Sequence, residues 1–242
     1  MDVTRLRRLL REVDEEHRDT LRSVSDEMEA VAHAASRRTF LRGSLAAGGA
    51  AALVLGPLAS AAAAADATTT TAAPKQPQSA DLPLLGFAQS LELAAAAVYA
   101  AALASGKLTD VPKAVATTFG RHHTEHAEAI GGLAGKAAPG VANPGLLKAF
   151  GDRLGRAKTE SDVLGIAFDL ENAAAATYGY ALGVLFGTNA AALVASILPI
   201  EARHAVVLGD ALGRPFADYA LVTEPNDFRS GALDPSKYPV GG

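Results

Sequence analysis

The chain writes one helical pattern twice. LELAAAAVYAAAL, from Leu91, matches LENAAAATYGYAL, from Leu170, 79 positions later. HHTEHAEAIGGLAG, from His122, matches IEARHAVVLGDALG, from Ile200, at an offset of 78. Glu92 falls on Glu171, Tyr99 on Tyr178, His123 on Glu201 and His126 on His204. Each copy is thus a helix with one acidic residue, followed by a helix with a ligand-x-x-His pair. Two such helix pairs can aim all of these groups at one point, which is how a metal site is built inside a four-helix bundle. The expected fold is all-α: an antiparallel four-helix bundle with a long crossover between its second and third helices.

The remaining sequence divides around this repeat. Residues 1–35 form a charged extension with six Arg and nine acids. Leu6, Leu9, Leu10, Val13, Leu21, Val24, Met28 and Val31 sit there near helical spacing. It reads as a solvated amphipathic leader, the sharper alternative being a docking helix for an export partner. SRRTFLR, from Ser36, precedes an uncharged Gly/Ala/Leu stretch, so residues 36–65 read as a twin-arginine export signal cut near Ala63–Ala65. Retained, the same stretch is long enough to anchor the protein in a membrane. Proteins with such signals cross the membrane folded, so a metal site can be filled beforehand. Residues 66–80 are a Thr/Pro/Gln linker.

The bundle is expected over 81–213. Its helices should run from about Pro83 to Ser105, from Asp110 to the glycines at 131–135, from Ser161 to about Phe186, and from Thr188 to near Gly213. Asp81, Ser161 and Thr188 are the candidate caps. Residues 136–160 form the long connection, with a short helix in LLKAFGDRLGRA. The tail, 214–242, carries Pro215, Pro225, Pro235 and Pro239 and should be mostly irregular, wrapping the bundle.

At about 100° per residue, His123 and His126 lie roughly 60° apart, on the side of Phe119, Ile130 and Leu133. Arg121, Glu125 and Glu128 should face water. Glu201 and His204 share a face with Ile197, Leu208 and Leu212, with Arg203 pointing away. Glu92 aligns with Leu85 and Tyr99, and Glu171 with Leu164 and Tyr178. A carboxylate on an apolar face costs several kcal/mol unless it is paired or metal-bound. Pro199, ahead of Glu201, should kink its helix. His122 lies at the edge of the inward face and is expected to support a ligand or reach the surface.

These residues resemble the ferritin-like superfamily and, within it, the exported bacterial ferritin-like domain proteins related to rubrerythrins, over roughly 81–213. The family pattern is Glu, Glu-x-x-His, Glu, Glu-x-x-His. Glu92, His126, Glu171, Glu201 and His204 match it; His123 stands where a Glu is expected. The resemblance implies a metal centre held by Glu92, His123, His126, Glu171, Glu201 and His204, with Tyr99 and Tyr178 hydrogen-bonding close by. Iron is the expected metal, as a di-iron or, given His123, a mononuclear centre; manganese and zinc also suit mixed carboxylate and imidazole ligands.

Composition narrows the alternatives. The chain has no cysteine, which excludes disulfides and iron–sulfur ligation. From Asp66 onward it has 13 Lys and Arg against 17 Asp and Glu, without a basic patch for nucleic acid. No apolar run long enough to span a membrane is expected after the signal. No phosphate loop, nucleophile elbow or dinucleotide fingerprint is present. The first reading is an exported metal-dependent oxidoreductase using dioxygen or peroxide, its partners being metal ions and the twin-arginine export machinery. The second is a metal-free structural or stress-related module of the cell envelope, favoured by His123 and by an aromatic content of only 5%. A monomer or dimer is expected rather than a storage cage.

Overall fold

Helices form wherever the sequence repeats its apolar spacing. In the computed structural model, which describes residues 2–47, 77–215 and 225–240, these are α1 (Val3–Ala47), α2 (Leu82–Ala104), α3 (Asp110–Ala134), α4 (Pro144–Arg156), α5 (Glu160–Leu182), α6 (Thr188–Ala211) and α7 (Pro225–Gly231). The described residues contain no strand. A single 3-10 turn, Gly135–Ala137, follows α3.

Contacts set the direction of each helix. Gln89 of α2 reaches the Ala127 carbonyl of α3, while Tyr99 packs on Phe119, so α2 and α3 run antiparallel. Tyr99 bonds Glu171 and Tyr178 bonds Glu92, so α2 and α5 also oppose each other. His122 meets His204, while Ile130 and Ile197 share a cluster at the other end, so α3 opposes α6. It follows that α3 and α5 run the same way. Residues 135–159, including α4, carry the chain from one end of the bundle to the other.

Capping departs from expectation in three places. The Asp81 carboxylate makes no cap bond to α2. It accepts instead from the Phe186 and Gly187 amides at 2.9 and 2.7 Å, tying the start of α2 to the α5–α6 turn. The cap of α5 is Thr159, not Ser161, in a capping box with Asp162. Gly187 precedes α6, and Thr188 is its first helical residue. Cap chemistry in sequence does not distinguish neighbouring polar residues, nor show which of them a distant loop will recruit.

The apolar residues fall into two clusters. One centres on Phe119, Leu146, Leu170 and Leu208; the other on Leu85, Ile130, Leu193 and Ile197. Along α3 the histidines lie between Phe119 and Ile130; along α6, Glu201 and His204 lie between Ile197 and Leu208. The polar groups therefore occupy a layer sealed above and below. Gly120 makes room at this level, because a Cβ there would come within 3.1 Å of the Tyr99 Cβ.

The helices of this core are more apolar than expected. Both α2 and α6 are long and apolar enough to cross a membrane, but 61% of the most apolar window of each is buried inside the bundle. They read as core helices, with side chains that face their neighbours on most sides. α6 continues through Pro199.

The N-terminal extension is not a solvated leader. α1 lies along α6 and α3 and buries Leu6, Val13 and His17, with Leu6 and His17 at 0% exposure. Ion pairs line the seam: Arg5 with Asp210 at 2.9 Å, Glu16 with Arg203, and Asp14 with Arg121. Arg121 and Arg203, expected to face water, are exposed and also pair with α1, while Glu125 is half-buried against it. α1 also runs past the expected boundary at Ser36, and the side chains of Arg37 and Arg38 lie outside the described residues, as do residues 48–76 with the candidate cleavage site.

The tail is held by specific contacts and contains a helix. Phe228 of α7 packs on Gly179, where a Cβ would come within 2.3 Å of its ring. Beyond it the Leu233 amide donates to Thr177 at 2.9 Å, and Asn143 donates to the Tyr238 carbonyl at 3.0 Å.

Candidate metal centre

The polar layer consists of Glu92 from α2, His123 and His126 from α3, Glu171 from α5, and Glu201 and His204 from α6. All six are buried, with none above 2% exposure. Each comes from a helix whose other inward residues are mostly apolar, so the side chains meet one another and a few polar neighbours, Tyr99, Tyr178 and His122. They form two groups that could hold a metal ion: Glu92, His123, His126 and Glu201, and then His123, Glu171, Glu201 and His204. His123 and Glu201, the two residues matched in the repeat, are the members common to both.

The tyrosines cross between the repeats. Tyr99 of α2 donates to Glu171 Oε1 of α5, and Tyr178 of α5 donates to Glu92 Oε1 of α2. Ala94, Ala95 and Ala175 are buried nearby, small enough to let the two helices come within this reach. Burial, joined by the facing carboxylate, pushes both phenols well above their ordinary value, so they remain proton donors.

His123 lies among the carboxylates. Its Nδ1 is 2.6 Å from Glu92 Oε2 and 3.7 Å from Glu201 Oε1, and its Nε2 is 3.1 Å from Glu171 Oε1. Burial alone would depress its pKa, but Glu201, Glu171 and Glu92 outweigh it and hold the ring well above the ordinary histidine value. With both nitrogens facing acceptors, the ring donates to Glu92 and Glu171 as an imidazolium.

The other two histidines each lie between a pair of carboxylates. His126 Nδ1 is 2.8 Å from Glu201 Oε1 and 3.6 Å from Glu92 Oε2. His204 Nδ1 is 3.2 Å from Glu171 Oε2 and 3.4 Å from Glu201 Oε2. Burial opposes charge on both, but the carboxylates win, raising His126 to about 9 and His204 above its usual value. Reciprocally, Glu92 and Glu171 are lowered despite burial, chiefly by His123. Glu201 differs from them: it meets His126 and His204 as ion pairs, but these contacts lack hydrogen-bond geometry. Contacts so aligned return less than well-formed hydrogen bonds would. Carboxylate and imidazole atoms in this state suit a divalent cation.

His122 is buried, not at the surface. Its Nδ1 is 2.9 Å from His204 Nε2, and its Nε2 is 3.1 Å from Asp14 Oδ1. A chain of contacts thus runs Glu171, His204, His122, Asp14, from the centre to α1. Burial, with His204 and His17 close by, pushes the His122 pKa below the usual range and keeps it neutral. A histidine that ligates through one nitrogen and donates the other to a fixed acceptor is a common way of fixing its tautomer and orientation.

Two neighbours were not anticipated from the sequence, Asp14 and His17. The signal for His17 was its spacing: it falls four residues after Val13 and eleven after Leu6, on the apolar stripe of the extension. It stacks on His122 with ring centroids 3.7 Å apart.

A family comparison covers the same residues. The model of the ferritin-like domain matches residues 80–214, more than half of the chain, from the residue before Asp81 to just beyond α6. No curated protein and no solved structure matches the chain. The all-α bundle, its buried carboxylates and histidines and the matched span agree: the chain belongs to the ferritin-like domain family.

Proposed function

We propose that this chain is an exported ferritin-like protein, related to the rubrerythrins, whose bundle holds a carboxylate and histidine metal centre for oxidation with dioxygen or peroxide. The observation that carries this reading is the pair of buried groups sharing His123 and Glu201, in which Glu201 meets His126 and His204 as close ion pairs without hydrogen-bond geometry. Glu92 and His126 would hold one side, Glu171 and His204 the other, with Glu201 between them and His123 in the place of a second shared carboxylate. Iron, the metal best suited to this role, would supply the electron-transfer step, while manganese or zinc also fit these donors. Tyr99 and Tyr178 keep Glu171 and Glu92 oriented and hold a proton at each phenolic oxygen. Phe119 and Ile130 close the layer against water. The arginine pair ahead of an apolar stretch supports export by the twin-arginine machinery, and the chain acts as a monomer or dimer rather than a cage in this reading.

The second reading, a metal-free envelope module, rests on His123. As an imidazolium between Glu92 and Glu171, with His126 and His204 also held toward their charged forms, it lets three imidazoles balance three carboxylates without a metal. Thermal unfolding with and without a chelator separates the two. A metal bound only by the folded state raises stability by mass action, about 2.7 kcal/mol at a hundredfold excess over Kd. A clear drop in Tm on chelation supports the metal centre; identical melting in both conditions supports the module.

A further inference from the structure

We infer that His17, with Glu125 and His126, forms an outer station for a first-row divalent cation at the seam between α1 and α3, on the path from solvent to the inner centre. His17 is at 0% exposure, and neither of its ring nitrogens has a hydrogen-bond partner. Its Nδ1 lies 3.3 Å from Glu125 Oε2, and its ring centroid is 5.0 Å from that of His126.

Burying an imidazole with both nitrogens unsatisfied is costly, and stacking on His122 would be served as well by an apolar ring. A second buried ring without a well-formed hydrogen bond, His126, is its neighbour. His126 turns Nδ1 toward Glu201, which leaves Nε2 as its unused nitrogen. Glu125, with a side chain 33% exposed, pairs through Oε1 with Arg121 at 2.7 Å and turns Oε2 to His17, so a cation in water can reach its second oxygen. The route therefore passes from a solvated carboxylate, to a buried imidazole, to an imidazole that also faces the inner centre. Imidazole with carboxylate selects iron, manganese, cobalt or zinc over calcium and magnesium. Two or three protein ligands completed by water hold such an ion weakly, as transit requires.

The inference rests on the inner centre proposed above only for its destination, and the test keeps the two apart. The full chain, stripped with chelator, is titrated with cobalt(II) followed by its visible absorption, and uptake is timed after rapid mixing. The wild type should show the inner centre plus one weaker equivalent. His17→Ala should lose the weaker equivalent and slow uptake on the order of tenfold, the size commonly seen when a residue supporting a metal ligand is removed, with unchanged final inner occupancy. His17→Phe keeps the ring on His122 without a donor nitrogen. It should behave as His17→Ala does, and it carries the test should the alanine variant fail to fold. Wild-type stoichiometry and uptake in His17→Phe would overturn the outer station while leaving the inner centre intact. Absence of any cobalt binding in the wild type would overturn both.

Discussion

The two helix pairs of this molecule, α2–α3 and α5–α6, are alike in plan and unlike at one position. Each presents a glutamate, a tyrosine seven residues on, and a pair ending in histidine. Each tyrosine serves the other pair's glutamate. At the first place of the ligand pair, however, α3 carries His123 and α6 carries Glu201. One difference follows from the other. Glu201 brings two oxygens that meet His126 and His204 only as ion pairs without hydrogen-bond geometry, and His123 bridges the two carboxylates that their tyrosines already hold. The repeat thus determines where the groups meet, and its single break determines their charge.

The most severe way to break this comparison is at Glu201. Glu201→Ala removes the carboxylate common to both groups and should abolish tight metal binding. Glu92→Ala or Glu171→Ala disables one side and should leave partial binding, read by calorimetric titration. Equal losses from all three would show that the two groups do not share a member.

His123 comes next. His123→Glu makes the two pairs match, and should favour occupancy by two metals and a lower reduction potential, because an added negative charge stabilises the oxidised state. His123→Ala should weaken metal binding by more than His122→Ala does, since His122 touches the centre only through His204. Equal affinities in the two alanine variants would contradict the placement of His123.

The tyrosines offer a cross-over test. Tyr99→Phe removes a donor to Glu171, in the opposite pair, and Tyr178→Phe removes one to Glu92. Hydrogen bonds to charged groups contribute about 1.5–3 kcal/mol, so each variant should lose that order of stability in denaturant unfolding of the chelated protein. The infrared carboxylate band should shift for the glutamate of the other pair. A shift confined to the glutamate of the same helix would contradict the crossed pairing.

The chelated protein should also report its charged histidines through pH. His126 has a folded pKa raised to about 9, above the ordinary 6.5. The stabilisation is then fully present below about pH 6.5 and is lost as pH rises through about 9, because the folded state must give up a proton it binds more tightly than the unfolded chain does. Glu201→Ala should flatten this decline. An unchanged Tm profile from pH 6.5 to 10 in the chelated wild type would contradict the pairing of His126 with Glu201.

The smallest effect belongs to the helix starts. Thr159→Ala removes the capping box of α5 and should cost about 1 kcal/mol in denaturant unfolding. α2 has no side-chain cap to lose, and Asp81→Ala should act instead by freeing the amides of Phe186 and Gly187.

Much of the bundle and its centre was legible in the sequence because both obey local periodicity. The helical spacing around Glu92, His123, Glu171 and Glu201 put each on an apolar face, and the repeat put those faces together. What was not legible depends on contacts distant in sequence. α1 reads as a solvated amphipathic helix until α3 and α6 are seen to supply its partner surface, so nothing local in the sequence ties His17 and Asp14 to the centre or takes His122 beyond the edge of its face. Asp81 has the local signature of a cap, whereas its carboxylate answers to amides 105 and 106 residues away.

The central claim, that the six buried side chains form a metal centre, is tested most directly by metal analysis of the full chain purified without a histidine tag and reconstituted separately with iron, manganese and zinc. One or two equivalents of a single preferred metal per chain, retained through desalting and lost in Glu201→Ala, is the predicted result. Substoichiometric metal with all three ions, with Glu201→Ala indistinguishable from the wild type, would contradict it.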